Sequence, residues 1–341
     1  MAARARRRGF RRRSVVGREG GFAVTLLQIR YRIEYAALVV VRAVVGALPD
    51  RVSWWLGSMV GFGFWALDAG HRRLAVRQLR AAFPTRSDAD CRAIARRTFI
   101  HFGRLLVLLI KFSTLTPDQI RERVEYDGDD RVREALKRGK GALLFSGHFG
   151  FWEMQGMAHP LVLPPMHVLA RPLDNPDLHR WLEDTRKRTG NGVIYRRGAV
   201  RRVLRALEQN ECVAIMIDQH IQPADAVMVD FFDRPAATTT ALAALALRTG
   251  APVIPVFALP VGGGKLRMIY DHLVEPPAAD SEQPIREFTQ RCTDVLEMYV
   301  RRHPHLWLWM HRRWRDPETG EEALAGMFPR AQKDTAGELS E

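Results

Sequence analysis

Lys-Gly-Ala-Leu-Leu-Phe-Ser-Gly-His-Phe-Gly-Phe-Trp-Glu-Met-Gln-Gly, residues 140–156, is the stretch on which the fold turns. Residues 142–145 form an apolar run that stops at the Ser146-Gly147 breaker pair, and helix-compatible residues follow Glu153. This is the pattern of a buried strand, a tight turn and a helix start. In open α/β sheets such a turn sets its side chains in the crevice outside the carboxyl ends of the strands. His148 stands on the turn and Glu153 five positions later. A histidine titrates near neutral pH and can take a proton from a hydroxyl. It does so better when a carboxylate fixes its tautomer and stabilises the imidazolium. The helix start beneath it offers free N–H groups to an anion. On spacing alone, an incidental histidine beside a solvated glutamate is the favoured reading.

Downstream, the same strand–turn–helix rhythm repeats, which is the pattern of a parallel sheet. Residues 166–170 read as a strand ending at Arg171, and residues 178–188 as a helix closed by Thr189-Gly190-Asn191-Gly192. An arginine at a strand end can hold phosphate in a two-pronged contact; Arg186 and Arg188 read as surface side chains. A strand at 193–195 and a helix at 200–207 follow. Residues 212–217 are an apolar strand that stops at Asp218-Gln219-His220, where Asp218 either faces the crevice or caps a turn. Residues 227–232 and 253–259 read as strands and 241–249 as a helix begun in the Thr238–Thr240 region. Residues 266–270 are expected at a sheet edge, 285–302 in a helix, and 303–315 in an aromatic helix with an arginine-rich face or at a lipid headgroup interface. His303, His305 and His311 lack partners at metal-ligand spacing.

Upstream, residues 4–13 hold seven arginines, and the first 18 residues supply eight with no acid, out of a formal net charge of +14. Excess positive charge fits nucleic acid, anionic lipid or acidic protein. No nucleic-acid module follows the arm, whereas a polybasic segment ahead of apolar sequence is a membrane-attachment device. Two apolar segments come next, 33–48, broken by Glu34 and Arg42, and 52–67, uncharged but sixteen residues long. They read as a membrane-seated helical hairpin, a single span, or a buried core pair; a span needs about 18 or more apolar residues. A cleavable signal peptide does not fit, because the apolar region starts late. A basic helix at 71–84 and a packing helix at 87–111, capped by Ser87, lead to the central motif. Cys91, Cys212 and Cys292 show neither disulfide nor metal spacing, which fits a reducing compartment.

Four blocks, in order over residues 33–316, make the chain resemble the bacterial lipid A late acyltransferases. Within the glycerolipid-type acyltransferases this branch also holds the mycobacterial phosphatidylinositol mannoside acyltransferases. The blocks are the His148-x4-Glu153 motif, Arg171 with the helix and glycine turn that follow it, the Asp218-Gln219 strand end with its Phe231-Phe232 loop, and the closing His311-Arg312-Arg313-Trp314; the basic helix ending in Phe83-Pro84 also resembles the family's. Two positions depart: Gln78 stands where the family has Asn, and Asp233 where it commonly has Gly. The Phe-Pro-Glu-Gly block of the lysophospholipid branch is missing.

The resemblance implies an α/β core, mostly parallel sheet flanked by helices, with a membrane-associated N-terminal helical segment. The implied layout is a disordered basic arm (1–21), a membrane-associated segment (22–70), the acyltransferase domain (71–316) and a polar tail (317–341). It implies transfer of a fatty acyl chain from an acyl carrier protein or CoA thioester to a hydroxyl of a membrane lipid, at the cytoplasmic face of the inner membrane, as a monotopic or single-pass protein. Other acceptors are a mannolipid, an aminolipid or a lysophospholipid; a basic membrane adaptor retaining an inactive fold is the non-enzyme alternative. In the implied site His148 is the general base and Glu153 orients it. Arg171 and backbone N–H groups near Gly150 bind phosphate or the oxyanion, and Asp218 and Gln219 shape the pocket. No metal or redox cofactor is implied, and no nucleic acid.

Overall fold

The computed structural model describes residues 18–195, 198–221 and 226–315. The strands are β1 (Val124–Asp127), β2 (Ala142–Ser146), β3 (Met166–Ala170), β4 (Gly192–Tyr195), β5 (Cys212–Met216), β6 (Ala226–Asp230), β7 (Pro235–Thr239), β8 (Val253–Gly262) and β9 (Lys265–Tyr270). The helices are α1 (Arg18–Ala47), α2 (Asp50–Leu67), α3 (Ala69–Ala82), α4 (Asp88–Phe112), α5 (Pro117–Arg121), α6 (Asp129–Leu136), α7 (Trp152–Ala158), α8 (Pro176–Lys187), α9 (Ala199–Glu208), α10 (Ala241–Thr249) and α11 (Pro284–Arg302). Most of the expected arm and all of the polar tail after Asp316 lie outside the described residues; α1 already begins at Arg18.

One sheet runs in the order β1-β9-β8-β2-β5-β3-β4, parallel except for the β8–β9 pair, and β6 and β7 form a separate antiparallel pair. The expected mostly parallel α/β core is therefore present. Alternation along the central strands sorts side chains into two cores. Leu143 and Phe145 of β2 join Val213 and Ile215 of β5 under α3, α9, α10 and α11. Ala142 and Leu144 join Cys212, Ile254 and Val256 under α6, α7 and the last turns of α4. The three cysteines are buried and free.

Two sequence expectations need correction. Residues 266–270 are not at an edge: β9 lies between β8 and β1, and the edge is β1, whose Val-Glu-Tyr-Asp sequence is too short and polar to announce a strand. Residues 303–315 are not a helix. Pro304 permits one 3₁₀ turn, Pro304–Leu306, and the chain then passes irregularly through the core, turning at 309–310, with Trp307, Trp309 and Trp314 almost fully buried. Asp233 accounts for its departure from glycine: it and Phe232 both have φ of 57°, left-handed backbone that Asp tolerates better than most residues.

The N-terminal pair is neither a span nor a core pair. Among the described residues no helix is long and apolar enough to cross a membrane, so the single-pass alternative has no support. Ser53, Gly57 and Gly61 of α2 recur every fourth residue and are buried against α4. The backbones approach so closely there that a Cβ on Gly61 would lie 2.3 Å from the Phe99 carbonyl oxygen, and one on Gly103 2.3 Å from the Gly57 carbonyl oxygen. The other face of α2 carries Val52, Trp55, Met59 and Phe62, all exposed, and α1 exposes Ile29, Ile33, Val40 and Val44.

Candidate active site

Both parallel central strands end in a polar side chain at the same crevice. Strand β2 gives way to Gly147 and His148, and the neighbouring β5, paired with it residue for residue, gives way to Ile217 and Asp218. The Ile217 N–H donates to the Ser146 carbonyl at 3.0 Å, so the register persists to the site. Asp218 is buried and accepts three hydrogen bonds, from the His148 backbone N–H (2.7 Å), His148 Nδ1 (2.8 Å) and Trp307 Nε1 (2.8 Å). With Nδ1–H engaged, Nε2 carries the basic lone pair; the Gln219 side-chain nitrogen lies 3.3 Å from it.

The electrostatics follow from these contacts. Burial pulls the His148 pKa down, but the Asp218 charge and hydrogen bond, helped by the Glu153 charge, outweigh it, and the net shift is upward. Burial would push Asp218 up, yet His148 and the donors around it hold its pKa below the usual carboxylate value. A buried, fully satisfied carboxylate beside an imidazole is an orienting and charge-stabilising group.

Glu153 is not that group. Its carboxylate takes a fork from Arg186 of α8, with Nη2 at 2.6 Å and Nε at 3.1 Å, and acts on His148 only through charge. The His148–Glu153 hydrogen bond expected from spacing is replaced by a His148–Asp218 bond and a Glu153–Arg186 pair. Arg186, read from sequence as a surface residue, is largely buried, its side chain 15% exposed. Arg188 has a structural role, donating to the Ser113 carbonyl. The Gly150 region does not supply free donors. Phe149, Gly150 and Phe151 N–H groups bond to the carbonyls of Gly147, Leu306 and Ala258. Gly150 itself is needed for its turn, since φ is 61° and a Cβ would lie 2.1 Å from the Ala258 oxygen.

A cavity of about 260 Å³ opens beside His148. Its floor is apolar, from Leu144, Phe145, Met166, Val168, Ile215 and Val256, and its polar lining includes His148, Glu153, Arg186, Gln219 and Arg171, with Ser146 and Gln155. Arg171 is exposed, at the end of β3. Behind Asp218 the closing segment is locked by Gln78, whose amide donates to the Trp309 and His311 carbonyls (2.6 and 2.7 Å) and accepts from the Arg313 N–H (3.0 Å). Arg313 is buried with its guanidinium on the Ala237 carbonyl and the Thr238 hydroxyl, and burial pulls its pKa down to about 10. The departure at position 78 thus keeps a side-chain amide, the group that the clamp requires.

A model of the bacterial lipid A biosynthesis acyltransferases matches residues 20–316. The chain belongs to that family. Family membership makes it an acyltransferase, and the resemblance read from four sequence blocks holds. It is 28% identical over 305 residues to a lipid A biosynthesis lauroyltransferase of Escherichia coli (strain K12), covering 88% of this chain and 96% of that one. The lipid A biosynthesis myristoyltransferase of the same organism is 23% identical over 256 residues, 75% and 78% of the two chains. A phosphatidylinositol mannoside acyltransferase of Mycolicibacterium smegmatis is 23% identical over 225 residues, 65% and 72%. Among the described residues of this family member, no group of three or more His, Cys, Asp or Glu side chains is arranged to hold a metal ion.

Proposed function

We propose that the chain transfers a fatty acyl group from an acyl carrier protein or CoA thioester to a hydroxyl of a lipid A precursor. The observation that carries this reading is a histidine base, fixed by a buried carboxylate, at the mouth of an apolar cavity. The acceptor hydroxyl attacks the thioester carbonyl while His148 Nε2 takes its proton. The new C–O bond forms and the carbonyl electrons move to oxygen. When the tetrahedral species collapses, the C–S bond breaks and the thiolate recovers the proton from His148. Asp218 keeps Nε2 basic and stabilises the imidazolium between the two transfers. The Arg186 guanidinium, held by Glu153, lends positive charge to the wall where the oxyanion develops. Arg171, at the rim, meets donor phosphate, and Gln219 positions the acceptor beside Nε2. The acyl chain lies on the apolar floor. The reaction as written balances without a metal or redox cofactor, and the nucleophile is the acceptor's own hydroxyl.

The apolar faces of α1 and α2, together with the basic N-terminal residues, seat the protein on the cytoplasmic face of the inner membrane as a monotopic enzyme. A phosphatidylinositol mannoside acceptor is the second reading, favoured by the mannoside relatives. The test is a lipid profile of cells lacking the protein, complemented with wild type, His148→Ala or Glu153→Ala. Loss of one acyl chain from a lipid A species, restored by wild type and not by His148→Ala, is the expected result. Restoration by His148→Ala sinks the base assignment, and a change confined to mannolipids replaces the acceptor.

A further inference from the structure

A second, two-part groove lies on the far side of Trp152 from the acyl cavity. Trp152 lines the enclosed cavity and packs its ring 5.3 Å from His148. Its ring is also 5.6 Å from Phe102, and Phe102 lines the second groove. The groove's first half, about 380 Å³, is apolar, with Phe64, Phe99, Leu106 and Leu308 in its walls. Phe64 and Leu106 are exposed, so this half is continuous with the bare apolar surface of α2 and α4. Its second half, about 590 Å³, is lined by Arg73, Arg77, Arg312 and Arg315. Asp68, His71, Met310 and His311 line both halves, which are therefore one channel. The carboxylate of Asp68 is already occupied by His71, through Nδ1 at 2.7 Å and the backbone N–H at 3.0 Å, so the arginines dominate the field.

The channel wall is also tied to the backbone of the His148 turn. The Leu308 N–H donates to the His148 carbonyl at 3.1 Å, and the charges of Asp218 and His148 act on His311. Two of its buried nitrogens, His311 Nε2 and Arg315 Nε, have no hydrogen-bond partner among the described residues. A buried donor without a partner costs stability unless a ligand or water completes it. We infer that this channel holds the acceptor: a membrane amphipath whose phosphate sits among Arg73, Arg77, Arg312 and Arg315 and whose acyl chain lies against Phe64, Phe102 and Leu106. Guanidinium groups suit a phosphate dianion through paired N–H donors. An apolar trough opening on the membrane face lets a lipid enter with its chain still buried. Donor chain and acceptor then approach His148 from opposite sides of Trp152. The inference rests on the acyltransfer reading for its chemistry and on charge complementarity for its occupant; an acidic carrier protein, which needs no apolar trough, is the lesser fit.

The test uses full-length protein carrying His148→Ala, so that binding is read without turnover. The probe is a phosphorylated, acylated disaccharide lipid in micelles of uncharged detergent, compared with the same lipid stripped of phosphate. Arg73→Glu/Arg312→Glu, two exposed positions whose change leaves the fold intact, is expected to weaken binding of the phosphorylated lipid by about tenfold or more. Binding of the stripped lipid should not change. In protein that keeps His148, and so turns over, the same pair should raise KM for the acceptor and leave KM for the thioester unaltered, whereas Arg171→Glu should do the reverse. Equal binding of both lipids by the unmutated groove overturns the inference. So does a rise in KM that falls on the carrier protein donor, which would make the arginines its dock. If instead the wild-type chain forms no ester while the binding difference persists, the acyltransfer reading fails and the lipid site stands.

Discussion

The His148–Asp218 crevice and the α1–α2 face are both built on apolar sequence, and they treat it in opposite ways. In the crevice, a fully buried strand and a mostly buried neighbour deliver two polar groups to one point, and each polar atom of Asp218 finds a donor. On α2, one face is buried by backbone-to-backbone contact through glycines, while Trp55 stays 61% and Phe64 56% exposed. Apolar content therefore does not tell which surface is core. In the crevice the deciding signal is where the run stops and what polar residue follows. On the helix it is which face carries the small residues.

The sharpest way to break this contrast is to remove the partner rather than the base. Asp218→Asn keeps the shape but not the charge, and is expected to lower acyl transfer by about two to four orders of magnitude. Because Asp218 raises the His148 pKa, and the base works only when neutral, the wild-type rate should climb with pH through that raised value. In Asp218→Asn the acid limb of kcat/KM should move to lower pH. A limb that stays in place, measured on folded protein, would separate Asp218 from His148. Next in size is Gly61→Leu. There a side chain must force α2 from α4, with a loss of about 2–3 kcal/mol in denaturant unfolding; an unchanged midpoint would mean that the helix pair is loosely joined. The smallest effect on stability is expected at the bare face. Trp55→Glu/Phe62→Glu should change unfolding free energy by only about 0.5 kcal/mol while abolishing flotation with anionic vesicles. Retained flotation would place the membrane contact elsewhere.

Much of this was legible in the chain. The run at 142–145 ending before His148, the strand end at Asp218 and the helix capped by Ser87 all announce themselves within a few residues, because local periodicity and capping are local physics. The Ser87 side chain accepts from the Asp90 N–H as its position suggests. What stayed hidden is what depends on strand order. His148 and Asp218 are 70 positions apart, and only the pairing of β2 with β5 brings them together; a carboxylate five residues away is the more visible partner from sequence. Arg186 looked like one of many basic side chains because nothing near it in the chain marks its burial. The closing tryptophans looked helical because aromatic spacing does not reveal a segment threaded through the core.

The Gln78 clamp ties residues 231 positions apart, and through the packed Trp309 and Trp307 rings it supports the Asp218 carboxylate. Chains leave the ribosome from the N-terminus at about 5–20 residues per second, so α1, α2 and α3 are all made before this partner exists. The long-range closure that completes the site comes last, and loops of such length close late in folding. A nascent chain therefore carries its exposed apolar helices long before the His148–Asp218 pair can be completed by Trp307. The apolar helices are made first, and the pocket around Asp218 is complete only when the final aromatic segment is in hand.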